Sequence, residues 1–268
     1  MLDQQDSNTQ ALPEVRRQRL LELVRQRTSI TTLELVRELS ASSATIRRDM
    51  AILEDLNLLK RSHGGAVSLE SSKHQAEPYK ADYEPVFFEK VTHARAAKEQ
   101  IAKLAASLVE DGNTILLDSG TTAQALARQL AGRRITVVAL DLKVAEAAAH
   151  SQTEVLMVGG RVRPGLFSVV GVWTDAALAS LSMDIFFLGA DAISEQGVTN
   201  SALDEARVKA LGIQCAKRCV VIAHHSKFNL RKMAHVCGLD QIDVLVTDEA
   251  SRPNILAYEA KFRQILYA

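Results

Sequence analysis

The stretch Ile115-Leu-Leu-Asp-Ser-Gly-Thr-Thr-Ala123 runs from an apolar, strand-like segment through a polar turn into a helical pattern. The strand ends at Asp118, and the turn consists of Ser119, Gly120, Thr121 and Thr122. Backbone N–H groups at the start of a helix, with hydroxyl groups beside them, suit a phosphate or a carboxylate. The stretch therefore predicts an anion-binding site, although an ordinary Ser/Thr helix cap has the same composition. No P-loop lysine follows the turn, which argues against a nucleoside triphosphate.

Around this stretch, apolar runs of strand length alternate with helical patterns from Phe87 onward. The strand-like runs are Thr114–Leu117, Ile135–Leu140, Glu154–Val158, Ile185–Leu188, Cys219–Ala223 and Val244–Val246. The helical patterns are Ala96–Glu110, Ala123–Ala131, Lys143–Ala149, Thr174–Leu181 and Asp204–Ala216. This alternation predicts an α/β domain with a mainly parallel sheet and helices packed on it.

Three further polar segments are predicted at the same end of that sheet. One strand ends at Asp191, the polar segment Gly197–Glu205 leads into a helix, and another strand ends in His225-Ser-Lys227. Convergent hydroxyl, carboxylate and ammonium groups are what a polyol phosphate requires. The candidate ligand-binding residues are therefore Asp118, Ser119, Gly120, Thr121, Thr122, Asp191, Glu205 and Lys227.

Upstream, residues 14–68 are helix-rich and contain many arginines. Thr31 or Thr32 can cap a second helix, and a short break at Ser40–Ser43 precedes a third helix over Ala44–Glu54. Ile46, Met50 and Leu53 fall at i, i+4 and i+7 on one side of that third helix. A helix, a short turn and a second helix form the arrangement that places the latter in the major groove of DNA.

Polar and basic residues concentrate at the start of the third helix and just after it. Hydroxyl and guanidinium groups reach phosphates, and arginine also reads a guanine edge, so we expect DNA contacts from Ser42, Ser43, Thr45, Arg47 and Arg48. Which arginine reads a base stays open. Leu58–Val67 predicts two short strands around Gly64-Gly65, because hairpin turns favour glycine. This wing would place Lys60, Arg61 and His63 against the DNA backbone; the alternative is a small helical bundle with a solvated charged face.

Composition sets the limits of these predictions. The chain has 268 residues, and Lys+Arg and Asp+Glu balance at 32 each, so any basic surface is local. No apolar run approaches the roughly 18 residues that span a bilayer. The three cysteines, Cys215, Cys219 and Cys237, indicate reduced thiols in a cytoplasmic protein. His224, His225, His235 and Cys237 match no familiar zinc spacing, so we expect neither a metal nor a cofactor.

Changes in composition along the chain divide it into two domains, a tail and a linker. We expect a disordered tail at 1–13, a winged helix-turn-helix (helices with a small β wing) at 14–68, a polar linker containing Pro78 and Pro85 at 69–85, and the α/β domain at 86–268. The tail contains acidic residues and resembles neither a signal peptide nor a transit peptide.

Several motifs carry a resemblance to one family. Thr45-Ile-Arg-Arg-Asp-Met50, Leu53-Glu54 and Leu58-Leu-Lys-Arg-Ser-His-Gly-Gly-Ala66 resemble the N-terminal domain of DeoR-type bacterial regulators. Asp118-Ser-Gly-Thr-Thr122, Val158-Gly-Gly160, Phe187-Leu-Gly-Ala190 and Ser226-Lys227 resemble the sensor domain of that family, which is similar to ribose-5-phosphate isomerases and CoA transferases. The resemblance implies a homo-oligomeric repressor, a dimer or a tetramer, that binds double-stranded operator DNA. A phosphorylated sugar or polyol, or a related metabolite, would release it.

Two departures refine that expectation. Glu205 lies where the isomerases have a catalytic carboxylate, but Leu188 replaces an aspartate, and Glu195-Gln-Gly-Val-Thr199 lacks their lysine, which favours binding without turnover. After Val138 the regulators commonly have Thr-Asn-Ser, whereas this chain has Ala139-Leu-Asp141; the extra carboxylate of Asp141 therefore joins the candidate effector-binding residues. The alternatives are an isomerase-like enzyme with an accessory DNA-binding arm and a constitutive DNA-binding protein whose second domain only assembles oligomers.

Overall fold

The computed structural model describes residues 13–27, 29–56, 58–62, 64–68 and 87–268. The chain divides into two compact units, Met1–Tyr79 and Lys80–Ala268. The expected tail, except for Pro13, and the expected linker at 69–85 lie outside the described residues, and so does His63.

The described part of the first unit contains three helices and a small antiparallel sheet. Its elements are α1 (Pro13–Arg27), β1 (Ser29–Thr31), α2 (Thr32–Leu39), α3 (Ser43–Asp55), β2 (Leu59–Ser62) and β3 (Gly65–Ser68). The sheet has the order β1-β3-β2, and both strand pairs are antiparallel. This confirms the predicted winged helix-turn-helix. Strand β1 was not predicted, because three residues are too few to show an alternating pattern.

Local capping and a compact apolar core hold this unit together. Thr31 caps α2 in a capping box, in which its side chain accepts from the Glu34 N–H while the Glu34 carboxylate accepts from the Thr31 N–H. Leu20 and Val24 of α1, Leu35 of α2, and Ile46 and Leu53 of α3 are completely buried and are part of one core. The periodicity of α3 therefore turns its apolar side inward and leaves its polar side exposed.

The second unit contains a seven-stranded parallel sheet with the order β15-β14-β12-β9-β4-β5-β6. Its elements are α4 (Phe87–Thr92), α5 (Arg95–Ala106), β4 (Thr114–Leu117), α6 (Thr121–Leu130), β5 (Thr136–Ala139), α7 (Leu142–Ala148), β6 (Glu154–Met157), β7 (Arg161–Val162), β8 (Val169–Val170), α8 (Val172–Ala179), β9 (Met183–Gly189), β10 (Ala192–Ser194), β11 (Gly197–Asn200), α9 (Leu203–Gln214), β12 (Ala216–Ile222), β13 (Ala234–Cys237), β14 (Val244–Thr247), α10 (Arg252–Ile255) and β15 (Ile265–Tyr267). All six predicted strands belong to this sheet, which confirms the predicted α/β fold.

Apolar side chains cover both faces of the large sheet, which is why its strands read as nearly continuous apolar runs. Leu116 and Phe186 on one face join a core that includes α8, α9 and the small antiparallel sheet β10-β11-β13. Ile115 and Phe187 on the other face join a core that includes α5, α6 and α7. The segment Gly197–Glu205, expected to be a polar approach to a helix, begins with buried strand β11 before α9 starts at Leu203.

Across the described ranges, no helix combines the length and the apolar character that crossing a membrane requires.

Candidate functional site

The solvent-facing side of α3 is polar and positively charged. Ser42 caps the helix, because its Oγ accepts from the Thr45 N–H at 3.1 Å, and it lies 2.8 Å from the Thr45 hydroxyl. Ser43 is half-buried, whereas Arg47 and Arg48 are exposed. Neither guanidinium group has a hydrogen bond or ion pair with any described residue. Two such groups on one helix are available for phosphates or base edges.

The inner side of α3 is anchored to α1 by a buried carboxylate. Asp49 accepts from Nε of Arg16 at 2.6 Å and from Nε of Arg17 at 3.2 Å. Asp49 is almost completely buried, so these ion pairs are partly shielded from water. They fix the orientation of the exposed arginines on α3. The sequence alone did not indicate this role for Asp49.

The wing presents less free charge than its sequence implies. Lys60 on β2 is exposed. Arg61, in contrast, donates from its backbone N–H to Oε1 of Glu54 at 2.8 Å and from Nε to Oε2 of Glu54 at 2.5 Å. Glu54 lies near the end of α3, so Arg61 ties the wing to that helix in addition to any contact with DNA.

In the second unit, the predicted ligand residues follow the carboxyl ends of parallel strands. Asp118 and the Ser119–Thr122 turn follow β4, Asp141 follows β5, and Asp191 follows β9. Lys227 lies in a short 3-10 turn after β12. Because the strands are parallel, these residues all lie at the carboxyl-terminal end of the sheet. Glu205 lies in the first turn of α9.

Asp118 is held in a buried ion pair with Lys209 of α9, which the sequence analysis did not single out. Lys209 Nζ lies 2.6 Å from Asp118 Oδ2 and donates to the Gly189 carbonyl oxygen at 2.9 Å. Asp118 Oδ2 also accepts from the Gly189 N–H at 2.8 Å. Burial alone would lower the pKa of Lys209, but the carboxylates of Asp118, Glu205 and Asp191 outweigh it and raise that pKa. The ammonium group therefore stays charged and joins β4 to β9.

Glu205 is also fully engaged within the chain. Its Oε1 accepts from the Ser168 hydroxyl and lies 2.6 Å from Arg163 Nη1, and its Oε2 accepts from the Asn200 amide at 2.9 Å. Burial would raise the pKa of Glu205, but Lys209 and Arg163 outweigh it and hold the pKa below its usual value. A carboxylate in this state is a weak proton acceptor.

The structure places Asp141 in a supporting position. It is completely buried and caps α7, because its Oδ1 accepts from the N–H groups of Lys143 at 2.6 Å and Val144 at 3.1 Å. Its Oδ2 accepts from the Gly120 N–H at 3.2 Å. Burial raises the pKa of Asp141 to about 6, against these three donors. The Asp141 carboxylate thus connects the start of α7 to the turn after β4.

The turn after β4 is partly open to solvent. Gly120 has a φ of 97°, a conformation that other residues rarely adopt, and α6 starts directly after it at Thr121. Ser119, Thr121 and Thr122 are half-buried. The N–H groups of Thr121 and Thr122 lie in the first turn of the helix and have no intrahelical acceptor. Their hydroxyl groups have no hydrogen bond to any described residue.

Three lysines lie close to one another, and two of them, Lys90 and Lys227, act on Asp191. Lys90 Nζ lies 3.9 Å from Asp191 Oδ1, and Asp191 Oδ2 accepts from the Ser201 N–H at 3.0 Å. Lys98 is only 5% exposed, and its Nζ donates to the Lys90 carbonyl oxygen at 2.5 Å. Lys227 is half-buried and forms no ion pair with any described carboxylate. We call Lys90, Lys98 and Lys227 the lysine cluster.

The lysine cluster is electrostatically strained. Burial, together with Lys227 and Lys90, lowers the pKa of Lys98 to about 7. Burial also lowers the pKa of Lys227, although Asp191 opposes it. Burial would raise the pKa of Asp191, but Lys90 and Lys209 outweigh it and lower that pKa to about 2. The cluster therefore has more positive charge than the one carboxylate beside it can balance.

Histidines complete this side of the site. His224 is buried, its ring lies 5.4 Å from the ring of His93, and its Nδ1 lies 3.1 Å from the Ser226 hydroxyl. Burial and the nearby Lys98 and Lys227 lower the pKa of His224 to about 3, so its ring is neutral. His225 is held by Asp248, whose Oδ1 accepts from the His225 N–H at 2.7 Å.

Comparison with known proteins gives matches over both units. Residues 16–72 match the model of the DeoR-like helix-turn-helix domain, and residues 93–249 match that of the DeoR C terminal sensor domain. A putative aga operon transcriptional repressor from Escherichia coli O157:H7 is 33% identical over 87% of this chain and 86% of its own length. A lactose phosphotransferase system repressor from Staphylococcus aureus is 31% identical over 85% of this chain and 89% of its own.

Among solved structures, a ribose 5-phosphate isomerase A from Methanocaldococcus jannaschii is 20% identical, with a TM-score of 0.38. The match covers 50% of this chain and 54% of the isomerase.

Proposed function

The chain belongs to the DeoR family of helix-turn-helix transcriptional regulators, and from this we propose that it represses genes of sugar or polyol catabolism and leaves its operator when a phosphorylated metabolite binds its second unit. The relative named as a lactose phosphotransferase system repressor supports a carbohydrate gene set. Arg47 and Arg48 on the outer side of α3, which have no side-chain partner among the described residues, support direct contact with the duplex.

The observation that carries the effector proposal is the lysine cluster. A buried or half-buried ammonium group costs free energy unless an anion pairs with it. Among the described residues, Lys98 has only the Lys90 carbonyl oxygen as a hydrogen-bond partner, and Lys227 has no carboxylate within ion-pair distance. A phosphate group carries up to two negative charges and has several acceptor oxygens, so it would balance this excess. The open hydroxyl groups of Thr121 and Thr122 would bind further oxygens of the same metabolite.

The state of Glu205 supports binding without turnover. An isomerase needs a carboxylate that takes a proton from carbon and a partner that stabilises the enediolate. Here Arg163, Ser168 and Asn200 occupy both oxygens of Glu205. Glu195, in the segment where the isomerases have a lysine, is exposed and pairs with Lys261.

On the DNA side, Arg47→Ala and Lys60→Ala are expected to weaken operator binding in different ways. Loss of a base-reading arginine costs about 1–3 kcal/mol and relaxes preference at one base pair. Loss of a wing lysine weakens binding to all sequences about equally and lowers the slope of log K against log salt by about 1. Binding isotherms on operator and scrambled duplexes at several salt concentrations measure both effects. Equal losses on all sequences from both variants would contradict base readout by Arg47.

On the effector side, phosphorylated sugars and polyols are expected to raise the melting temperature of the wild-type protein, whereas their unphosphorylated forms are not. Thr121→Ala should reduce this response at least several-fold and leave operator binding in the absence of ligand unchanged. Thr121 is half-buried and its hydroxyl has no hydrogen bond to a described residue, so the fold should tolerate the change. A thermal-shift panel measures the response. An unaltered response of Thr121→Ala, or turnover of the sugar phosphate, would contradict the proposal.

A further inference from the structure

Helix α8 is apolar on its exposed side as well as on its buried side. Leu178 and Thr174 are completely buried, while Val172 is 75% exposed and Trp173 is 77% exposed. The other exposed positions of α8 are Ala176 and Ala179, and no exposed position carries a charge. A helix that is apolar all round is typically covered on all sides.

Strand β6, which lies next to the start of α8, has an open edge. It is the last strand of the seven-stranded sheet, and it pairs only with β5 among the described strands. Leu156 of β6 is 43% exposed and Met157 is 37% exposed, and the two side chains lie on opposite faces of the sheet. The Thr174 hydroxyl donates to the Gly159 carbonyl oxygen at 2.9 Å, which ties the first turn of α8 to the residues that follow β6.

We propose that this α8–β6 surface (Leu156, Val172, Trp173 and Ala176, beside the open backbone edge of β6) is the site at which a second copy of this chain docks in a two-fold symmetric dimer. An open, apolar strand edge is an aggregation hazard unless something covers it. A second β6, placed antiparallel about a two-fold axis, supplies an acceptor for each unpaired N–H and a donor for each unpaired C=O.

The side chains and charges also fit a second copy. Ala176 and Ala179 are small exposed residues on the same helix as Trp173, so two copies related by a two-fold axis could each place the indole against the small residues of the other. The border of the surface contains the ion pairs Arg161–Asp204 and Arg207–Asp175. Each pair contains both signs, so two copies can approach without net repulsion.

This surface gives the dimer a physical basis that does not depend on the effector. A helix-turn-helix repressor contacts two operator half-sites with two recognition helices. The family assignment therefore requires a second copy, and the exposed residues of α8, together with Leu156 of β6, provide an uncharged patch of the kind that is enriched in the core of dimer interfaces. The proposal does not rest on the lysine cluster, and a failure of either leaves the other standing.

Trp173 makes the proposal directly measurable, because it is the only tryptophan in the chain. In the full-length wild-type protein, dimer formation should move the tryptophan emission to shorter wavelength and protect the indole from acrylamide quenching. Both changes should follow the dimer fraction measured by sedimentation over the same protein concentrations. A protein that is dimeric at every accessible concentration should show shielded emission throughout.

Ala176→Arg is the informative variant, since the residue is exposed and its replacement places a charge on the surface, one helical turn from Val172 and Trp173. The dimer dissociation constant should rise at least roughly 30-fold, as for a central interface residue, and the emission should move to longer wavelength. Leu256→Arg is the matched control. That residue is 74% exposed in the connection from β14 to β15, at the opposite edge of the sheet, and its variant should dimerise like the wild type.

Three results would overturn the proposal. One is a wild-type dimer in which Trp173 stays fully open to acrylamide. A second is a dissociation constant that Ala176→Arg leaves unchanged. The third is a monomer whose Trp173 is shielded at all concentrations, which would mean that another part of the same chain covers the surface. A far-ultraviolet circular dichroism spectrum like that of the wild type and a cooperative thermal transition show that Ala176→Arg is folded.

Discussion

Lys98→Met is expected to stabilise the ligand-free protein and to abolish its response to phosphorylated sugars. Lys98 is buried with a pKa of about 7, so the folded state binds its proton more weakly than the unfolded state does. Methionine fills a similar volume without a charge to desolvate. Each pKa unit corresponds to about 1.4 kcal/mol, and after loss of the hydrogen bond to the Lys90 carbonyl we expect a net gain on the order of 2 kcal/mol. This gain corresponds to an increase of roughly 4–8 °C in Tm.

The pH dependence of this gain in stability follows from the direction of the pKa shift of Lys98. The pKa of Lys98 is lowered on folding from 10.5 to about 7. The penalty is therefore complete below about pH 7, shrinks as the pH rises, and is absent above the unfolded value of 10.5, where both states are neutral. Thermal unfolding of wild type and Lys98→Met at pH 7 and at pH 10 should show the larger difference at pH 7. Lys103→Met, at an exposed position of the same helix, should change neither stability nor response. A Lys98→Met variant less stable than the wild type at pH 7 would contradict the assignment of Lys98 as a buried amine that has no carboxylate partner among the described residues.

Lys209→Met is expected to have the opposite effect, a loss of about 3–5 kcal/mol, which is typical when one partner of a buried ion pair is removed. Lys209 is as buried as Lys98, but its Nζ lies 2.6 Å from Asp118 Oδ2, and the carboxylates of Glu205 and Asp191 are nearby. Without the ammonium group, these carboxylates remain buried and less compensated. Urea unfolding at neutral pH measures the loss.

The pH dependence again distinguishes this account from simple loss of packing. Burial raises the pKa of Asp118 even though Lys209 opposes the rise, and removal of Lys209 should raise that pKa further. The destabilisation of Lys209→Met should therefore be largest at high pH and should decrease as the pH falls and Asp118 takes up a proton. Lys217→Met removes the exposed ion pair with Asp184 and should cost at most about 1 kcal/mol. Similar losses from Lys209→Met and Lys217→Met would contradict the buried ion pair.

The sequence predicted the parallel sheet well because its strands are buried on both faces. The runs Thr114–Leu117 and Val244–Val246 fall inside observed strands, and the polar residues that follow β4, β9 and β12 lie at one edge as expected. Strands β1, β7 and β10 have three residues or fewer, and a pattern of that length contains no periodicity. Strand β15 was missed for the same reason.

The site was predicted only in part because burial of a charge depends on tertiary packing. Lys98 lies in the pattern Ala96–Glu110, where a lysine is ordinarily solvated, and nothing in the sequence distinguishes it from Lys103. Lys90 and Lys209 were missed in the same way. Asp141 was predicted as an effector-binding residue, and the structure shows that it caps α7. The sequence did contain an indication of this role, since an aspartate directly before a helical pattern is a preferred helix cap.

The proposed function depends most on one coupling, in which metabolite binding to the second unit weakens operator binding. A titration of labelled operator DNA tests this coupling directly. A phosphorylated sugar that raises the melting temperature of the protein should also raise its dissociation constant for the operator, by at least about tenfold. Lys227→Met should bind the operator like the wild type in the absence of ligand and should lose this response. The account would be contradicted by a sugar phosphate that binds the second unit and leaves operator affinity unchanged, or by a Lys227→Met variant that still releases the operator.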